Sequence, residues 1–206
     1  MAMETNWAAE HLQVIRTLME RSAVYRRALA PMMLLAGCIG IGGAVAGLTL
    51  RLVAPRDFLI FWMSLAAATL IGAFLLVRRQ ALKAAEPFWS LPTRRITQAV
   101  LPPLTAGALL SLAALGNPSP ETITRVPLAW AILYGCALHA AGFFMPRGIK
   151  LFGWAFVIGG CLLVLVKIGG FSRSDFAHGI MGVFFGLFHL LYGVYLYFTE
   201  KRRNEL

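Results

Sequence analysis

The sequence predicts an all-α, polytopic integral membrane protein with six transmembrane helices and both the N- and C-termini on the cytoplasmic side. Three observations carry that expectation. Of 206 residues, 59% are hydrophobic and only 14% charged, where a soluble domain carries about 25% charged residues; the mean hydropathy is +0.72. The apolar residues fall into six runs, each near the roughly 20 residues that a hydrocarbon core demands of a helix. Basic residues alternate between rich and poor connecting segments, which fixes an orientation.

In chain order, residues 1–27 are too polar to be a signal peptide of the usual form. Within them NWAAEHLQVIRTLMERSAVY reads as an amphipathic cytoplasmic helix, with Trp7, His11, Val14, Leu18 and Tyr25 on one side and Glu10, Gln13, Thr17 and Glu20 largely opposite. Such a helix suits the headgroup layer or a protein partner equally. The membrane domain, residues 28–198, begins with a span at 29–50, where Pro31 is tolerated because a first-turn N–H has no intrahelical partner. The second span covers 58–77. The third, 97–115, has Pro102 and Pro103 near its beginning and is expected to bend there. After the turn segment GNPSPETITR come the fourth span at 126–144, the MPRG turn, the fifth at 149–168 and the sixth at 176–198; residues 199–206 form a cytoplasmic tail.

With the N-terminus inside, the inner segments hold fourteen of the 19 basic residues, among them Arg26, Arg27, Arg78, Arg79, Arg94, Arg95, Lys150 and the KRR of the tail. The outer segments hold Arg51, Arg56, Arg125 and Arg173, with Lys167 near that edge. Basic residues favour the cytoplasmic side of short loops. The same clusters account for the net charge of +10 without a nucleic-acid partner and make anionic lipid an expected contact. The expected location is a cell membrane, crossed several times, with a bacterial inner membrane as the compartment. A homo-oligomer or a partner in a membrane complex is also expected.

No aspartate or glutamate falls within the six spans, which counts against a carboxylate-driven proton antiporter. Attention moves to His139, His189 and His178, with Lys167 at the outer edge. His139 lies 13 residues after Val126 and His189 13 residues after Phe176, so the two share a depth of about 20 Å below the outer ends. If the fourth and sixth helices are neighbours, the two rings border a gap that a haem or metal fills. His178 and His189 are eleven residues apart, about 20° out of line on one helix face. The plainer alternative is hydrogen bonding to a neighbouring helix, for which Tyr134 and Tyr192 are available. No HExxH or paired CxxC exists, so zinc hydrolase and iron–sulfur chemistry have no support. No cofactor is expected from a motif, haem b being the alternative that the histidine pair keeps open, and the identity of any metal is open.

Lys167 either snorkels to the outer interface or pairs with Asp175 or Asp57. Gly37, Gly40, Gly43 and Gly47 bunch on one side of the first span, and Gly182 and Gly186 line the sixth. In hydrocarbon such stripes serve close helix contact. Trp62, Trp130 and Trp154 are expected as interface anchors, and Cys38, Cys136 and Cys161 as small packing residues. Three functional classes stay open: a small-molecule or ion transporter, a non-catalytic accessory or scaffold subunit, and a bis-histidine haem or metal protein.

Overall fold

The computed structural model describes residues 28–83, 85, 88–145, 147–166 and 173–204. Among them there are helices and turns and no strand. The helices are α1 (Ala28–Thr49), α2 (Pro55–Lys83), α3 (Leu91–Gly116), α4 (Thr122–Ala141), α5 (Arg147–Leu165) and α6 (residues 173–204). Six helices are thus long and apolar enough to cross a membrane. The amphipathic segment 1–27 and Lys167 lie outside the described residues.

Several boundaries differ from the expected spans, each for a local reason. Helix α2 has 29 residues, about 43 Å at 1.5 Å per residue, longer than the roughly 30 Å a hydrocarbon core requires, and Arg78, Arg79 and Lys83 lie in its last two turns. Helix α3 starts six residues before the expected 97 and runs through Pro102 and Pro103; its Ser90–Leu91–Pro92 start is the usual place for a helix-entry proline. Helix α4 ends at Ala141, short of 144, where the Gly142 N–H closes onto the Leu138 carbonyl and the Phe143 and Phe144 N–H groups close onto the carbonyls of Ala140 and Ala141.

The end of α1 is a Schellman turn built without glycine. Arg51 takes the left-handed conformation (φ 52°), the Leu52 N–H reaches back to the Gly47 carbonyl at 3.1 Å, and the Arg51 N–H reaches the Leu48 carbonyl at 3.3 Å. A side chain in this conformation costs about 1–2 kcal/mol, and the turn fixes where the Leu52 carbonyl points.

Helix α6 has a second irregularity. Arg173–Met181 is α-helical, Gly182–Phe188 is a π-helix, and His189–Asn204 is α-helical again. A π segment rotates everything beyond it relative to a continuous α-helix, and such segments occur frequently at functional sites.

Glycines let the helices cross backbone to backbone. A Cβ on Gly37 would meet the Leu190 N at 2.6 Å, one on Gly186 the Ile41 N at 2.7 Å, and one on Gly40 would strike the Phe185 carbonyl. Gly182 similarly abuts Ala44. The α1–α6 seam therefore uses both glycine stripes within one chain, while Gly43 and Gly47 receive Leu65 and the His178 ring. Between α4 and α5, a Cβ on Gly135 would meet the Gly153 carbonyl and one on Gly153 the Gly135 carbonyl, each at 2.8 Å. Close approach of this kind gains dispersion where lipid gives helices no hydrophobic reason to associate.

Two clusters fill the interior. One joins Leu29, Met33, Leu138, Ile149, Phe152, Phe156 and Phe184; the other joins Ala44, Phe58, Leu59, Trp62, Ile123, Ala177 and Met181 near the α1–α2 turn. The helices share this interior unequally. In its most apolar stretch α1 is 44% buried within the chain, α2 only 6% and α3 only 11%.

Two expectations are corrected here. Trp62 is no interface anchor, being 6% exposed in the second cluster, and Trp130 wedges between helices, its indole N–H donating to Ser111 Oγ at 2.9 Å over Gly107. The three cysteines are free and all exposed, so they face outward from the bundle and do not pack its core.

Candidate functional site

Two imidazoles on α6 are almost fully buried, His178 at 1% and His189 at 2% exposure. Both are bound at both ring nitrogens by the chain itself.

His189 follows immediately on the π segment. Its Nδ1 lies 3.1 Å from the Phe184 carbonyl, five residues back. A carbonyl only accepts, so Nδ1 carries the hydrogen; in the neutral ring Nε2 is then bare and accepts the Tyr134 hydroxyl at 2.8 Å. The ring is walled by Tyr134, Phe152 and Phe156 with centroids 5.3–5.5 Å away and by Phe185 stacked at 6.2 Å. Helices α4, α5 and α6 thus converge on it.

His178 has the opposite tautomer. The Trp62 indole N–H, a donor only, gives its hydrogen to Nδ1 at 3.1 Å, so Nε2 carries the ring hydrogen and donates to the Leu52 carbonyl at 3.3 Å. The non-glycine turn at Arg51 delivers that carbonyl. Phe58 packs on the ring at 4.9 Å.

His139 is treated differently. It stands in the last turn of α4 against Phe143 and Trp154, at 5.5 and 5.4 Å, and its buried Nδ1 has no hydrogen-bond partner. Tyr134 and His139 are five residues apart, about 140° around α4; on α5, Trp154 likewise points away from Phe152 and Phe156. The surroundings of His139 and His189 share no ring. The structure therefore does not bring the two histidines face to face, although α4 and α6 are neighbours as the bridging idea required.

Of the remaining candidates, Tyr134 reaches a histidine and Tyr192 does not: Tyr192 stacks on Phe152 at 4.6 Å with its hydroxyl over Gly148. Among the described residues no three potential metal ligands come together. Sequence reasoning missed Trp62, the Leu52 and Phe184 carbonyls and the Lys150–Phe143 contact, in which Nζ sits 3.6 Å from the ring centroid. Backbone carbonyls leave no mark in a sequence, and nothing separates Trp62 from an anchoring tryptophan until its helix is placed.

No protein-family model, no curated protein and no solved structure matches the chain.

Proposed function

We propose that this is a multi-pass membrane protein, with both chain ends on the cytoplasmic side of a bacterial inner membrane, that serves as a non-catalytic accessory or scaffold subunit. The observation that carries this reading is the saturation of His178 and His189. A transport path needs polar groups free to bind what passes. Here the two almost fully buried imidazoles, His178 and His189, spend both nitrogens on the chain among aromatic rings, and only the half-buried His139, in the last turn of α4, keeps an unpartnered nitrogen. The sparse burial of α2 and α3 leaves two whole spans for lipid or for a neighbouring subunit, which fits work done by assembly.

Transport is the second reading, favoured by the π segment of α6, since conversion between π and α winding would rotate His189 relative to Tyr134. Haem held between His139 and His189 draws no support from their separate surroundings.

Cysteine accessibility separates the first two. In a background with Cys38, Cys136 and Cys161 changed to alanine, Ala131→Cys and Ala177→Cys place thiols at positions that are fully buried. The packed-subunit reading expects neither thiol to react with a small, water-soluble methanethiosulfonate in membrane vesicles, while a cysteine at exposed Leu82 reacts. Labelling of Ala131→Cys at the rate of the Leu82 control would replace it with the transport reading.

A further inference from the structure

We infer that the α4–α5 hairpin carries a binding site for the phosphate of an anionic phospholipid, formed by Lys150 and His139 and flanked by Phe143 and Trp154. The inference rests on the reading that these helices span a bilayer.

Lys150, in the first turns of α5, lays its stem across Gly142, where even a Cβ would collide with Lys150 Cγ at 2.5 Å. This holds the ammonium over the face of Phe143. Among the described residues Lys150 has no carboxylate partner; the one ion pair between described side chains is Arg125–Glu121, near the start of α4. Arg95 from α3 stands 6.0 Å from the centroid of Phe144, the next residue along, so two cations sit over consecutive rings of one turn.

His139 supplies the second element. Its Nδ1 is buried and unpartnered, the residue as a whole is half-buried, and Nε2 is not among the buried unpartnered atoms, so the nitrogen left to face outward is Nε2. An orphaned buried N–H is rarer and costlier than an orphaned acceptor, so the hydrogen belongs on Nε2, where it can be donated outward. A fixed ammonium and a neutral N–H donor are what a phosphate monoanion accepts from. The surroundings favour a lipid as its source. Phe143 and Trp154 are 64% and 49% exposed, amphipathic or flat surfaces suited to the headgroup boundary, and exposed Leu151 continues the apolar surface beside them. Basic pockets between helices at the cytoplasmic boundary bind acidic headgroups in this manner.

The alternative role for Lys150 is to neutralise the carbonyl end of α4. That role predicts a change in stability but no preference among lipids.

The test is native mass spectrometry of delipidated full-length chain in mild detergent, titrated with phosphatidylglycerol or phosphatidylcholine. Wild type is expected to bind one phosphatidylglycerol preferentially. Lys150→Met, which keeps the stem, should lose about fivefold of that preference, the worth of one cation near a headgroup. His139→Leu should lose less, Lys150→Arg should keep it, and Lys83→Met, a cation elsewhere on the same end, should leave it unchanged. Equal affinity for the two lipids, or an undiminished preference in Lys150→Met, overturns the site. Displacement of phosphatidylglycerol by millimolar inorganic phosphate would reassign it to a soluble anion. A chain that stays soluble once detergent is removed would sink the membrane reading itself, which a stably inserted chain lacking lipid preference would not.

Discussion

His189 and His139 are the same residue at matching distances from the starts of their spans, and the protein treats them oppositely. His189 is gripped at both nitrogens and walled by four rings, whereas His139 leaves one nitrogen unbonded at the rim of the hairpin. The difference lies in what the neighbouring helices present. The π segment brings the Phe184 carbonyl under His189 and turns its other edge to Tyr134, while α5 brings the Trp154 ring edge-to-face against His139 and no hydrogen-bond partner for its Nδ1. Position along an apolar helix therefore says little about the role of a histidine, and the supply of partners says most.

The largest expected effect breaks the comparison directly. His189→Ala leaves a cavity and strips Tyr134 and Phe184 of a partner, and should cost about 2–5 kcal/mol. His139→Ala should cost less than about 1 kcal/mol, since it removes no hydrogen bond. Reversible unfolding in mixed detergent micelles reads both, and equal losses would erase the distinction.

A second contrast uses glycines on α1 and α6. Gly40→Ala and Gly186→Ala should each cost about 1–3 kcal/mol through overpacking of the α1–α6 seam. Gly42→Ala and Gly179→Ala, whose added methyls meet nothing within 4 Å, should stay within about 0.5 kcal/mol of wild type. If all four behave alike, the seam does not hold the bundle together.

Smaller still is the hydroxyl at His189. Tyr134→Phe should cost about 1 kcal/mol, and Trp62→Phe a similar amount at His178. A double-mutant cycle between Tyr134→Phe and His189→Phe should show coupling, while one between Tyr134→Phe and His139→Phe should show none.

The six long apolar helices were legible in the sequence because the length and polarity that a bilayer demands of a spanning helix can be read directly from composition. Gly37, Gly40, Gly182 and Gly186 were legible as contact stripes for the same reason, although only placement shows that they meet each other within one chain. The ends of α3 and α4 were less so, since arginines and prolines there read equally well as loop or helix. FFGLFHLL gives no hint of a π turn, because a run that is apolar on nearly every side has no periodicity from which a shift to i→i+5 bonding could be noticed. Tyr134 was legible as a partner for a histidine, but nothing in the spacing tells which one. Trp62 shows the opposite error: tryptophan near a helix end suits an interface, and only the fold of the Arg51 turn over α6 buries it beside His178.

The most direct measurement of the central claim, that the chain saturates its own buried imidazoles, is nitrogen-15 NMR of histidine-labelled protein in lipid nanodiscs. The account predicts two imidazole N–H signals protected from solvent exchange, His189 as the Nδ1–H tautomer and His178 as the Nε2–H tautomer, each assigned by its loss in the alanine variant. A His189 signal averaged between tautomers, or exchanging as fast as that of an exposed histidine, would contradict it and place water where the structure places Tyr134 and the Phe184 carbonyl.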